Sequence, residues 1–249
     1  MSRTLAFLAL AFLLALAALA AAAEPPCAEE IVRRLEANRL FETERVEGSL
    51  IITDRFGSRI KTFVSYAAGE DRMLIAFTNP EEKGQKILRL KNDIYLYFPE
   101  AEGVVRLQGA ALKESVMGSD FSYEDLTGEK SLLARYTASL LGTERLEGRE
   151  HYLLELKAKE RGVAYPLEKL WVDAGLFLLR RAEYYALSGK LLKSLELGEF
   201  QRIGGRHMAM QAVMRDHRKK ASSTEFRIQK VRIDEPLPKG IFSLEALSW

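Results

Sequence analysis

The feature that most narrows the fold is a long succession of short alternating segments separated by turn residues. Val46, Leu50 and Ile52 alternate with Glu47, Ser49 and Thr53, interrupted by Ile51. A turn at Phe56-Gly57-Ser58 precedes Ile60, Thr62, Val64 and Tyr66, which share one face. Gly69-Glu70-Asp71 leads into Met73-Leu74-Ile75-Ala76-Phe77, and Lys86–Leu90 reaches Asn92-Asp93 before Ile94-Tyr95-Leu96-Tyr97-Phe98 ends at Pro99. Side chains along a strand point alternately to its two faces, so a period of two bounded by Gly, Asn, Asp and Pro predicts antiparallel strands. The pattern resumes over residues 137–145, 152–157, 167–172, 178–186, 190–200, 206–216 and 223–233, with Ser188-Gly189 and Gly204-Gly205 as turns.

Two segments break the period. Residues 28–41 carry Ile31, Val32, Leu35 and Phe41 at helical spacing behind Glu29 and Glu30, which suit a helix N-terminus. Residues 108–134 lose the alternation, are punctuated by Gly109, Gly118 and Gly128, and contain Ser122-x-x-Asp125, a capping-box pattern that predicts a short helix. No linker or compositional break divides the chain, so residues 24–249 read as a single domain. The predicted fold is mainly β (α+β). It is a half-open, strongly curved antiparallel β-barrel of about nine to eleven strands, covered by an N-terminal helix and short middle helices. A sheet of that size usually leaves room inside, and the middle helices are natural candidates for a lid.

Ahead of the domain, Arg3 is followed by a charge-free run from Leu5 to Leu19 and by Ala20-Ala21-Ala22-Ala23. This order predicts a signal peptide over residues 1–23, cleaved before Glu24, and so an exported chain. An uncleaved anchor is the rival, disfavoured because no basic stop-transfer cluster follows. Cys27 is the single cysteine, so an internal disulfide framework is excluded. Glu24-Pro25-Pro26 do not fit a lipoprotein signal, which leaves a free thiol in an N-terminal tail, with intermolecular pairing or an atypical lipid anchor as the other outcomes.

The net charge of +2 supplies no basic field for nucleic acid. His151, His207 and His217 lack metal-ligand spacing, and the chain holds no G-x-S-x-G, GxGxxG or Walker loop. No catalytic residue, metal or cofactor is predicted, and the chain reads as no enzyme. Asp120 and Asp125 are the nearest to catalytic acids, but capping and loop structure explain them better. The basic cluster Asp216-His217-Arg218-Lys219-Lys220 is a solvated loop or, on a sharper reading, a contact for an acidic partner or anionic head groups. Met73–Phe77 and Ile94–Phe98 are apolar on both faces and so require two covers. One cover is a packed helix; the other is either more core or an apolar ligand cavity.

Three stretches carry a family resemblance. Asn79-Pro80-Glu81-Glu82-Lys83-Gly84-Gln85-Lys86-Ile87-Leu88 resembles the "P-x-x-x-K-G-x-x-x-L" stretch of the LolA-like outer-membrane lipoprotein-sorting proteins. Ile94–Pro99 is similar to that family's "W-x-Y-x-P" strand, with Tyr95 in the Trp place. Ser115–Leu126 resembles its "MGSDFSYEDL" segment. The resemblance implies a periplasmic carrier that binds the acyl chains of lipoproteins, or other lipids, in an apolar cavity. Its implied partners are an inner-membrane exporter and an outer-membrane acceptor. On that reading the cavity is expected to be lined by Leu50, Ile52, Val64, Tyr66, Met73, Ile75, Phe77, Leu88, Leu90, Tyr95 and Tyr97, with Met117 and Phe121 in the lid. The competing readings are a periplasmic lipid- or lipoprotein-sensing module that regulates an envelope signalling partner, and a hydrolase of envelope lipids.

Overall fold

In a computed structural model of the chain, residues 25–38, 41–127 and 131–247 are described. The expected signal peptide and its cleavage point, residues 39–40 of the expected first helix, and Gly128 lie outside the described residues.

Among the described residues, thirteen strands form one antiparallel sheet. They are β1 (Thr43–Asp54), β2 (Gly57–Ala68), β3 (Arg72–Phe77), β4 (Lys86–Leu90), β5 (Asp93–Phe98), β6 (Gly103–Leu107), β7 (Tyr136–Leu146), β8 (Arg149–Ala158), β9 (Leu167–Asp173), β10 (Leu179–Tyr185), β11 (Leu191–Ile203), β12 (Arg206–Asp216) and β13 (Ser223–Ile233). The count exceeds the expected nine to eleven. Short β6, whose Val104 and Val105 are exposed, carries no alternation from which a strand would be read.

The spatial order is β6-β5-β4-β3-β2-β1-β13-β12-β11-β10-β9-β8-β7. Two meanders are therefore joined where the first and last strands pair, and β6 and β7 form the two open edges. This order has a consequence for the middle segment. The chain leaves the sheet at one edge and re-enters at the other, so the segment that joins them, described over residues 108–127 and 131–135, crosses a face of the sheet. They do so as two 3-10 turns (Gly109–Lys113 and Val116–Gly118) followed by α2 (Tyr123–Thr127) and α3 (Leu132–Arg135), all of which rank after α1 (Ala28–Ala37) in the chain.

Helix α1 begins where Glu29 and Glu30 complement the dipole and buries Ala28, Ile31, Val32 and Leu35 along one stripe. It is shorter than the expected 28–41. Asn38 ends it, donating its side-chain amide to the carbonyls of Leu176 (2.9 Å) and Phe177 (3.1 Å). The stripe packs on Tyr136, Ala138, Leu154, Leu156, Leu170, Val172 and Ala182 of β7 to β10. Tyr184 and Leu195 belong both to that cluster and to the one beneath the middle segment, so α1 and the crossing segment cover the same face of the sheet. We call this the inner face.

Over β1 to β5 the inner face is built from Val46, Leu50, Ile52, Phe63, Ile75, Phe77, Ile87, Ile94 and Leu96. The cross-strand pairs Phe63↔Phe77, Ile75↔Ile87 and Ile87↔Leu96 fix its register. Gly48 is required here: a Cβ at that position would lie 2.6 Å from the Phe63 ring and 2.7 Å from the Arg227 carbonyl oxygen, beside the bulge between β1 and β13.

The outer face of the same strands has its own cover. Leu74 and Leu88 are buried with Leu247, and Tyr66, Leu90, Tyr95 and Tyr97 pack around them with Ile241 and Phe242 of the C-terminal tail. Lys86 Nζ donates to the Ala246 carbonyl at 2.9 Å, and the Arg72 guanidinium lies over the Phe242 ring. Strands apolar on both faces are thus covered twice, inside by the crossing segment and outside by the tail.

Candidate functional site

The candidate site is the inner face together with the segment that roofs it. Leu50, Ile52, Met73, Ile75 and Phe77 lie on this face, with Met117 and Phe121 packed over them. The other six expected lining residues lie elsewhere. Tyr66, Leu88, Leu90, Tyr95 and Tyr97 pack on the outer face beneath the tail. Val64, paired with Ala76 two positions from Tyr66, shares that face. The division follows from the period of two: where both faces are apolar, alternation does not set the side, and a shift of one residue exchanges them. The positions that replace them inside are Val46, Phe63, Ile87, Ile94, Leu96, Met214 and Phe226.

The roof presses its apolar side chains into this face. Val116 and Phe121 are buried, and Met117, Tyr123 and Leu126 are half-buried around them. Phe121 meets Phe226 edge-on at 6.4 Å between ring centroids, and Phe226 in turn contacts Phe63 at 5.1 Å. Met117 stands at φ 53°, so the 3-10 turn is kinked at the residue that faces the core. In this arrangement the protein's own side chains occupy the space above β1 to β5.

Polar groups fasten the roof at two points. At the first, the expected capping box is formed: the Ser122 N–H donates to Asp125 Oδ2 (2.8 Å) and the Asp125 N–H to Ser122 Oγ (3.2 Å). The same Asp125 carboxylate accepts from Tyr165 Oη (2.7 Å) and from Lys193 Nζ (2.6 Å), whose side chains come from the sheet side. Lys193 and Asp125 are 3% and 7% exposed, so the pair is sealed from water. Burial and the adjacent Asp125 carboxylate push the Tyr165 phenol far up, which keeps it protonated as a donor.

At the second point, Asp120 has a fully buried side chain. Its carboxylate accepts from Ser222 Oγ (2.7 and 2.9 Å) and Thr224 Oγ1 (3.0 Å), while its own N–H donates to Thr224 Oγ1 (2.8 Å). Lys219 Nζ donates to the Ser119 carbonyl (2.6 Å) and to Ser115 Oγ (3.0 Å) and lies 3.6 Å from Asp120 Oδ1. The two carboxylates considered above as catalytic acids therefore hold the roof down.

These tethers were not anticipated, although one left a trace. Lys193 sits between Leu191 and Leu195 on an inward-facing row of β11, where a charge is expected only with a partner. Glu168 is a further ionisable group on this face. Burial pushes its carboxyl up to about 7 against the opposing pull of Tyr136 and Arg135. His151 is buried on β8, His207 lies on β12, and His217 shares a hydrogen bond with Ser194 Oγ (2.9 Å). Among the described residues no cluster of His, Cys, Asp and Glu is arranged to hold a metal, and no helix is long and apolar enough to cross a membrane.

Residues 69–249 match a family profile described as "-like: Uncharacterized protein". Solved structures share the fold. A domain from Vibrio parahaemolyticus, described as an outer membrane lipoprotein-sorting protein, superposes with a TM-score of 0.80 at 22% identity, over 88% of this chain and 97% of that one. A DUF1329 family protein from Desulfovibrio piger superposes with a TM-score of 0.82 at 25% identity, over 88% and 96%. A LolA superfamily protein from Nitrosomonas europaea gives 0.75 at 23%, over 89% and 99%. The chain belongs to the family that this profile describes, and it has the LolA-like fold. No curated protein matches it in sequence. The LolA-like fold here is an open, curved antiparallel sheet, and its roof carries Ser115–Leu126, one of the three stretches on which the sequence resemblance rests.

Proposed function

We propose that this protein is a periplasmic carrier that binds the acyl chains of lipoproteins, or other lipids, on its inner face and passes them toward the outer membrane. The observation that carries the reading is a continuous apolar face covered by α1 at one end and by one crossing segment at the other. That face runs from Ile94 and Leu96 through Phe63 and Leu195 to Leu154 and Leu156. The segment above it ends in no strand between β6 and β7 and is fastened at Asp120 and Asp125.

The physical need is simple. Exposing an acyl chain costs about 0.8 kcal/mol per methylene, so a long chain costs on the order of 10 kcal/mol in water. Lifting the roof uncovers Val116, Phe121 and the face below, at roughly 1.5–3 kcal/mol for each large apolar side chain. An acyl chain entering in their place restores that burial. Exchange between roof and cargo is therefore close to balanced, and the met-rich edge of the site (Met73, Met117, Met214) adapts to chains of different shape. No chemical step is involved.

The reading is tested on protein recovered from an envelope fraction, by mass spectrometry of extracted lipid and by uptake of a fluorescent fatty acid. Co-purifying lipid and saturable uptake are expected. The absence of uptake, with no co-purifying lipid, would overturn it.

A further inference from the structure

The basic cluster after β12 finds a setting at the rim of the roof. A cleft of about 310 Å³ opens there between the β1–β2 turn, the loop joining β12 to β13, and Gly118 of the roof; Arg55, Phe56, Lys219, Lys220 and Ser222 line it with Asp54. Its charge is lopsided. Asp54 is committed elsewhere, accepting from the Phe56 N–H (2.7 Å) and from Arg59 (2.8 Å), which hold its carboxyl below the usual carboxylate range. Asp120 lies sealed behind the cleft wall, bonded to Ser222 and Thr224. Arg55 and Lys220 are exposed, and the Lys219 side chain is a third exposed. Beside them Phe56 projects into solvent, 78% exposed, with the Arg55 guanidinium 4.5 Å from its ring centroid.

We propose that this rim cleft takes the phosphate of an anionic phospholipid head group, and that the anion draws Lys219 away from the roof. The inference rests on the carrier reading and adds to it how loading is triggered. An exposed aromatic flanked by cations suits the head-group layer of an anionic membrane, where ring and charge are both accommodated. Lys219 is the link. Its ammonium now holds the roof through Ser119, Ser115 and Asp120, and an ammonium has too few donors to keep all of these and a phosphate as well. An anion in the cleft therefore weakens one of the two fastenings at the membrane surface, where cargo is exchanged.

The test uses the full mature chain with phosphatidylglycerol vesicles, phosphatidylcholine vesicles and inorganic phosphate. Binding is read by co-sedimentation, and the roof by amide hydrogen exchange over residues 115–126. Phosphatidylglycerol vesicles are expected to bind roughly tenfold better than phosphatidylcholine vesicles at low salt and to speed roof exchange. Arg55→Gln with Lys220→Gln, which touch neither fastening, should abolish the preference. Lys219→Gln should speed roof exchange without vesicles. Equal binding to both vesicles, or an unchanged preference in the double variant, would overturn the proposal. Inorganic phosphate alone reproducing the acceleration would overturn the head-group assignment. Fatty-acid uptake is measured on the same samples: uptake without a head-group preference defeats this inference alone, whereas no uptake by the wild type defeats the carrier reading.

Discussion

At the scale of single residues, the informative positions are charges placed where the pattern asks for carbon. Lys193 and Asp125 face each other at 2.6 Å out of reach of water. Removing one member of such a pair leaves the other as an uncompensated buried charge, which costs about 3–5 kcal/mol, whereas replacing both with apolar residues is often nearly neutral. Lys193→Met alone should therefore lower the urea midpoint strongly, and Lys193→Met with Asp125→Leu should recover only part of the loss, because Tyr165 Oη and the Ser122 N–H then lose their acceptor. Glu168 offers a separate test. Because burial holds its carboxyl at about 7 in the folded chain, against 4.5 when unfolded, the native state binds the extra proton between those values. Stability should fall as pH rises from about 4.5 to about 7, by on the order of 3 kcal/mol, and the penalty is fully present above pH 7. In Glu168→Gln that decline should disappear from chemical denaturation curves measured across the same range.

At the scale of elements, the sequence was legible wherever one period dominated. The two hairpin turns, the stripe of α1 and the Ser122–Asp125 capping box all appear as read. Legibility failed where both faces of a strand are apolar. In β3 to β5 the sides of Ile75 and Tyr95 are set by partners distant in sequence, the roof for one and the tail for the other. The tail itself has no regular period: Ile241, Phe242 and Leu247 lie among Gly, Ser and Glu, so nothing local marked them as a second cover. Its role is testable. Deleting residues 240–249 should uncover Leu74, Leu88 and the tyrosines around them, lower the melting temperature and raise binding of an apolar dye. Fatty-acid uptake should persist in the remaining folded fraction, because the inner face is not touched.

At the scale of the whole molecule, the strand order makes the roof unavoidable. A sheet whose two edges are β6 and β7, consecutive in the chain, requires the intervening residues to span one face. On the proposed carrier reading, the sheet supplies a greasy surface, the crossing segment stands in for cargo, and the fastenings at Asp120 and Asp125 set how readily it lifts. Carriage on this reading depends on movement of the roof, and pinning the roof tests it. Asp120→Cys with Thr224→Cys, in a Cys27→Ser background, places two thiols where Thr224 Oγ1 now donates to Asp120 Oδ2 at 3.0 Å. Fluorescent fatty-acid uptake is then compared before and after reduction of the disulfide. Uptake should be blocked in the oxidised protein and return on reduction; equal uptake in both states would contradict the account.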